Sequence, residues 1–247
     1  MIPYRDENPT ELVPIVTVLL IAANAAVWLF VEGAGFSEMA LRDAVCTYGA
    51  IPAEITGATP TGPEVCPPAA KLGWLGLFTS MFLHGSWGHL IGNMVFLWVF
   101  GNNVEDSMGH VRFVGFYLLT GLAAGLTHLA LNASSGVPTV GASGAISGVM
   151  GAYVLLYPRA WVYVLMPYLL VVRMPAYVVL GYWIVLQILF GLMDPGSGGG
   201  VAFWAHVGGF FAGLALIKAF ERPQLVDAKR TKRRLTRAEI RDHGWWW

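Results

Sequence analysis

The fold of this chain is decided by residues 141–148, which read Gly141-Ala142-Ser143-Gly144-Ala145-Ile146-Ser147-Gly148. They open an apolar run that reaches about Tyr157, and the spacing of four between Gly144 and Gly148 leaves one helix face almost without side chains. In a membrane, such faces let helix backbones approach closely. Large apolar side chains give helices no hydrophobic reason to associate there, because lipid tails are equally apolar. The stretch therefore predicts a tightly packed membrane helix, and packing alone would account for it unless other residues give Ser143 a partner.

The composition is that of a polytopic membrane protein. Hydrophobic residues make up 56% of the 247 residues and charged residues only 12%, about half of what soluble domains carry. Thirty glycines and ten tryptophans suit close helix packing and anchoring at the membrane interface. The net charge is zero, and we expect no nucleic-acid partner, no cofactor and no metal.

The apolar runs predict an all-α bundle of six transmembrane helices in a membrane domain over 13–220. A short segment, 1–12, precedes this domain and a basic tail, 221–247, follows it. The first run is too long for a signal-peptide core, so we interpret it as a retained helix. The predicted helices are 13–31, 87–104, 111–131, 143–157, 175–193 and 203–220. Residues 158–172 are interpreted as a loop lying at the interface.

The distribution of positive charge predicts that both termini are cytoplasmic. With six helices the termini share one side, and in that orientation all Lys and Arg residues except Arg42 and Lys71 lie inside. Helices two, four and six then enter the membrane from the outer face.

The strongly polar residues of these three helices fall at similar depth near that outer face. Ser143 opens helix four and His206 lies in the first turn of helix six. Serine becomes an effective nucleophile when a neighbouring base takes its proton, and histidine suits that task near neutral pH. The later helices contain no acidic residue that would complete a triad, so the pattern favours a Ser143–His206 dyad.

Two residues of helix two are candidates for stabilising an oxyanion. His89 and Asn93 are four apart and share a helix face. Each offers a side-chain N–H group, and the Ser143 backbone N–H at a helix N-terminus could supply a further donor. Hydrogen bonds between helices are the alternative role for His89 and Asn93. Of the other histidines, His84 is interpreted as a turn residue and His128 as a packing residue.

Glycines predict how the serine and the histidine meet. Gly209 and Gly213 lie on the His206 side of helix six. Together with Gly141, Gly144 and Gly148 they would allow helices four and six to approach closely. Asp194–Gly200, a glycine-rich loop shortly before His206, is either a mobile cap over the site or an ordinary connection.

The only two cysteines, Cys46 and Cys66, lie about twenty residues apart in the first outer loop. Extracytoplasmic compartments permit disulfides, so a bridge is predicted, with two reduced thiols as the alternative.

Taken together, these motifs make the chain similar to the rhomboid family of intramembrane serine proteases, over about residues 1–220. Gly141-Ala142-Ser143-Gly144 resembles the GxSG nucleophile motif, and Ala205-His206 followed by glycines resembles the base helix. The resemblance is supported by the run from His84 to His89, by Val104-Glu105-Asp106 and by the opening residues 2–10. It implies a rhomboid-like fold in which Ser143 is the nucleophile and His206 the base. His89, Asn93 and the Ser143 amide would be the oxyanion donors.

The resemblance also implies that the substrates are transmembrane segments of other proteins within a lipid bilayer. The location it suggests is a bacterial cell membrane, with the site open to the extracytoplasmic side. The chain departs from some members at Ser147, where they carry a tyrosine that stacks on the base, and it lacks their Trp-Arg pair in the first loop. A catalytically inactive relative that binds membrane clients and a six-helix transporter are the alternatives. The oligomeric state is left open.

Overall fold

The computed structural model describes residues 1–61, 66, 72–194, 200–231, 233, 236 and 239, and within them the chain is mostly helical. The α-helices, numbered α1 to α10 in chain order, are Ile15–Phe30, Glu38–Tyr48, Pro52–Thr56, Gly76–Thr79, Trp87–Met108, His110–Leu131, Ser143–Leu156, Ala176–Met193, Phe203–Phe220 and Pro223–Arg230. Short 3-10 turns occupy Gly33–Gly35, Gly73–Leu75, Ser80–Phe82 and Pro167–Leu169.

Each of the six predicted spans coincides with a helix, namely α1 and α5 to α9. By length and composition, α6, α8 and α9 could cross a membrane, while α1 and α7 are apolar but shorter. Helix α5 is long enough, but its last turns carry Asn103, Glu105 and Asp106, which lower its hydropathy. The number of spans and the orientation of the termini remain predictions.

Helix α7 lies at the centre of the bundle. It has 14 residues, about 21 Å at 1.5 Å per residue, which is shorter than a bilayer core of about 30 Å. Nearly all of its side chains are buried, against α6 and α9 above all. A helix that is almost enclosed by other helices has little lipid-facing surface to match, so its shortness is tolerated.

Glycines set the separation between α7 and α9. A Cβ added to Gly209 would lie 2.1 Å from the carbonyl oxygen of Gly144, and one added to Gly213 would lie 2.0 Å from that of Gly148. On the α6 side, a Cβ on Gly148 would lie 2.3 Å from Cβ of Thr120. The backbones are thus in direct contact at the places where the sequence carries no side chain.

The expectation of an all-α protein is wrong in one respect, because the described residues include a three-stranded antiparallel sheet. Its strands are β1 (Ile2–Asp6), β2 (Trp161–Leu165) and β3 (Val171–Pro175), in the order β1-β2-β3. The segment interpreted as an interfacial loop therefore forms a hairpin, and the N-terminal segment pairs with it. The alternating burial of β2, whose two valines are fully buried, is the period-2 pattern of a half-buried strand.

Buried polar contacts tie this sheet to the end of α5. Asp6 accepts hydrogen bonds from Asn103 Nδ2 at 2.9 Å and from the Tyr153 hydroxyl at 2.5 Å. Lys229 of α10 pairs with Asp106 at 2.8 Å. The start of the predicted basic tail is therefore a helix packed on the bundle, while most of the tail beyond Thr231 lies outside the described residues.

At the other end of the bundle, the segment between α1 and α5 supports the loop that precedes α7. Cys46 and Cys66 form a disulfide with their Cα atoms 5.4 Å apart. Shortly after Cys46, the Ala50 backbone exchanges hydrogen bonds with Thr139 at 3.0 and 2.7 Å. This backbone bridge connects the segment between α1 and α5 to the residues just before Gly141.

Candidate active site

Ser143 is presented at the first turn of α7 by a sharp bend of the backbone. Gly141 has φ of +130°, which L-residues rarely adopt, and its N–H donates to the Ser80 carbonyl at 2.8 Å. A Cβ on Gly141 would lie 2.8 Å from two ring atoms of His89 and 3.5 Å from Ser143 Oγ. Glycine is needed here both for its conformation and for space, because the His89 ring lies directly against the bend.

His206 of α9 lies within hydrogen-bonding distance of this serine. Its Nε2 is 2.7 Å from Ser143 Oγ. His206 is 8% exposed, whereas Ser143 remains half-buried. The close approach of α7 and α9 through their glycines brings these two side chains together from positions 63 residues apart.

The other ring nitrogen of His206 contacts a residue that the sequence interpretation missed. Nδ1 lies 2.8 Å from Oε1 of Gln187 in α8, and the Trp183 ring lies 5.6 Å from the imidazole at an angle of 37°. Ser147 instead donates its hydroxyl to the Ser143 carbonyl at 2.6 Å. Gln187 was recognisable as the one residue of α8 with a side-chain amide or charge.

Asn93 is paired with a histidine that we interpreted as a turn residue. Its Nδ2 lies 3.0 Å from His84 Nε2, and both side chains are buried. Burial, together with the neighbouring His89, lowers the pKa of His84 to about 3, so its ring is neutral. A neutral ring that accepts one hydrogen of the Asn93 amide leaves the second hydrogen available for a ligand.

His89 is held by the turn at the start of α5. Ser86 caps the helix by accepting the His89 backbone N–H at 3.1 Å, and the Gly85 N–H points at His89 Nδ1 from 3.4 Å. With Nδ1 as an acceptor, the proton of a neutral His89 lies on Nε2. That atom is the one packed against the Gly141 bend.

Glu32, just after α1, is hydrogen-bonded to the segment that precedes this turn. The sequence interpretation did not identify it. Its Oε1 accepts the His84 backbone N–H at 2.7 Å. Its Oε2 is buried without a hydrogen-bond partner among the described residues. Burial raises the pKa of Glu32 to about 7, so in the folded protein the protonated form is favoured at pH values below about 7.

The raised pKa of Glu32 predicts a pH-dependent stability. Stability from this carboxyl is fully present below its ordinary pKa of about 4.5 and is lost as the pH rises through about 7. Glu32→Gln removes that loss, so the variant should melt at a higher temperature than the wild type at pH 8 and at a similar temperature at pH 5. Thermal unfolding of detergent-purified protein at both values measures this. If the variant and the wild type differed in melting temperature by the same amount at pH 5 and pH 8, the raised pKa of Glu32 would be contradicted.

Ser143, His206, His89 and Asn93 all line one cavity of about 560 Å³. Polar groups from α5, α7 and α9 meet apolar ones there, including Phe96, Met150 and Trp183. His128, interpreted as a packing residue, also lines it. The glycine-rich loop before His206, interpreted as a cap or an ordinary connection, lies outside the described residues except for its ends, Asp194 and Gly200, which both line the cavity.

The structure is that of a helical, multi-pass membrane protein in which a serine and a histidine are paired at one cavity. Comparison with known proteins shows the family to which it belongs. The family model described as "Rhomboid domain" matches residues 71–222, which include Ser143, His206, Asn93 and Gln187. The chain belongs to the rhomboid family.

Relatives come from bacteria, plants and mitochondria. The chain is 29% identical over 146 residues to "Putative rhomboid protease YdcA" of Bacillus subtilis, covering 59% of this chain and 64% of that protein. It is 30% identical over 140 residues to "RHOMBOID-like protein 5" of Arabidopsis thaliana (57% and 42%). It is 35% identical over 91 residues to "Rhomboid protein 1, mitochondrial" of Saccharomyces cerevisiae (35% and 26%). The matches therefore span between 26% and 64% of these relatives' own length.

Proposed function

We propose that this protein is an intramembrane serine endopeptidase that cleaves transmembrane segments of other membrane proteins with a Ser143–His206 dyad. The observation that carries the proposal is the 2.7 Å contact between Ser143 Oγ and His206 Nε2 at a cavity lined by Asn93 and His89. If Ser143 only packed between helices, it would not require a histidine within hydrogen-bonding distance. If His206 only packed, it would not require a place at a cavity.

In the proposed acylation, Ser143 Oγ attacks the scissile carbonyl carbon and passes its proton to His206 Nε2. The tetrahedral intermediate collapses when His206 gives that proton to the leaving amine, and an ester on Ser143 remains. Water then attacks the ester, with His206 again taking and returning a proton.

The negative charge on the carbonyl oxygen would be stabilised by three groups from residues that line the cavity. They are the His89 Nε2–H, the free hydrogen of the Asn93 amide and the Ser143 backbone N–H at the start of α7. The two side chains are held before substrate arrives: His89 by Gly85 and Ser86, and Asn93 by His84. Preformed donors cost no reorganisation during the reaction.

The proposed setting is a lipid bilayer, with the active site opening to the outer side of the membrane. The positive-inside distribution puts Ser143, His206 and Asn93 near the extracytoplasmic end of their helices, where water can enter. A bacterial cell membrane and transmembrane protein substrates are part of the same proposal.

Cleavage of a single-span reporter by the purified protein in liposomes tests the function. We expect two fragments whose new termini, mapped by mass spectrometry, fall within or next to the reporter's transmembrane segment. An intact reporter, under conditions in which the protein is folded, would contradict the proposal.

Asn93→Ala should lower turnover of this reporter by about 10- to 1000-fold, a range that includes the loss of about 100- to 1000-fold typical of removing one oxyanion donor. Asn93 is buried against His84, so melting temperature must be measured in parallel. Folded Asn93→Ala protein with full turnover would mean that the amide only packs.

A further inference from the structure

We propose that Gln187 is a positioning residue that holds His206 in the tautomer and orientation required of the base. This inference rests on the proposed function, since it assigns how the base of that reaction is held. It answers a question raised by the sequence, in which Ser147 occupies the position where some members of the family carry a tyrosine that stacks on the histidine.

The proton positions follow from the hydrogen-bonding capacity of the amide. Gln187 Oε1 is an acceptor only, and it lies 2.8 Å from His206 Nδ1, so Nδ1 must carry the proton. In a neutral imidazole the other nitrogen, Nε2, is then unprotonated. Nε2 is the atom 2.7 Å from Ser143 Oγ, so the arrangement presents a lone pair to the serine hydroxyl.

The orientation of the amide is itself constrained by α8. Gln187 Nε2 lies 3.5 Å from the carbonyl oxygen of Trp183, one turn earlier in the same helix. A flipped amide would set its oxygen against that carbonyl and its NH2 group against His206. The first contact joins two acceptors, and the second would favour the tautomer with the proton on Nε2. That tautomer cannot accept a proton from Ser143.

Gln187 and Trp183 act together because they are four residues apart on one face of α8. The tryptophan ring is tilted by 37° to the imidazole with the centroids 5.6 Å apart, and the glutamine holds the edge of the ring at Nδ1. Both contacts come from α8, whereas the serine comes from α7. Position 147 of α7 takes no part, because the Ser147 hydroxyl is used within its own helix.

A neutral amide also fits the low polarity of the site. Gln187 is only 9% exposed, and a carboxylate at such a position would need to be desolvated. When Ser143 gives its proton to Nε2, the ring becomes a cation with an N–H on each nitrogen. The Nδ1–H remains hydrogen-bonded to Oε1, and hydrogen bonds from charged donors are roughly twice as strong as neutral ones. The contact therefore stabilises the state that forms during catalysis more than the resting state.

The test compares Gln187→Leu, which removes the acceptor at similar volume, with Gln187→Glu, which keeps one. Ile184→Leu, on the same face of α8, is the matched control for changes of shape. For each variant, kcat and KM are measured with the single-span reporter in liposomes, together with the rate of labelling by a fluorophosphonate and the melting temperature.

We expect Gln187→Leu to lower kcat by about 10- to 100-fold with KM within about twofold, because the interaction strengthens in the transition state. Labelling should slow by a similar factor, since it needs the same base but no substrate helix. Gln187→Glu should recover at least about a third of the wild-type kcat, because at this buried position the carboxyl is favoured in its protonated form, whose carbonyl oxygen still accepts from Nδ1. Ile184→Leu should match the wild type. Should Gln187→Leu not fold, Gln187→Met is judged by the same criteria.

Three outcomes separate the claims. A folded Gln187→Leu protein with wild-type kcat, alongside an inactive Ser143→Ala protein, overturns the role of Gln187 and leaves the proposed function standing. Equal losses in Gln187→Leu and Gln187→Glu overturn it too, because they indicate packing rather than an acceptor. Wild-type cleavage by Ser143→Ala overturns the proposed function itself.

Discussion

Ser143→Ala and His206→Ala are each expected to reduce cleavage of the single-span reporter to background, and the double variant should be no worse than either. Groups that act as a unit are strongly non-additive, and in a serine protease each of the two can account for a factor of about 10⁶ in kcat. Here Ser143 Oγ and His206 Nε2 are 2.7 Å apart and share one proton, so either loss removes the same step. Initial rates in liposomes at equal protein concentration measure the effect.

Ser147→Ala is the matched control for this comparison. Ser147 lies one turn beyond Ser143 on the same helix, but it is fully buried and its hydroxyl donates to the Ser143 carbonyl. It should keep most of the activity. Retained cleavage in Ser143→Ala with loss in Ser147→Ala would move the nucleophile by one turn and contradict the assignment.

Gly209→Val should abolish folding and activity together. Its Cβ alone would lie 2.1 Å from the Gly144 carbonyl oxygen, a backbone atom that can move only if α7 and α9 separate. Overpacking typically costs 1–3 kcal/mol, and a branched side chain against backbone should cost at least about 3 kcal/mol. Separation of the helices would also pull His206 from Ser143. Melting temperature and reporter cleavage are measured on the same preparation.

Gly181→Val in α8 is the control for adding the same side chain to a membrane helix. A Cβ on Gly181 meets no other atom within 4 Å, so this variant should fold and cleave normally. If Gly209→Val were as stable and active as Gly181→Val, the close contact between α7 and α9 would be wrong.

The sequence was sufficient to place the helices that carry the site. The six predicted spans differ from the observed helices by at most four residues at any end. The ends could be predicted because charged residues and glycines bound the long apolar runs. Ser143 and His206 stood out because they are polar residues in apolar surroundings at similar depth. Placing such residues within a membrane costs free energy, so they usually have a functional role.

The supporting residues were harder to predict because their roles depend on contacts distant in sequence. Glu32 binds the backbone of His84 across 52 residues, and Gln187 reaches His206 from a different helix. Neither contact leaves a local pattern. The sheet was missed for a similar reason: β1 pairs with β2 about 160 residues away, and a five-residue strand is easily mistaken for an interfacial loop.

The central claim is that His206 activates Ser143, and covalent labelling tests it most directly. The wild-type protein in liposomes is treated with a fluorophosphonate, and the modified residue is identified by mass spectrometry of its peptides. We predict one adduct, on Ser143, that is absent from Ser143→Ala and at least about 100-fold slower to form in His206→Ala, in line with the loss of a general base. An adduct on another serine, or equally fast labelling of Ser143 without His206, would contradict the claim.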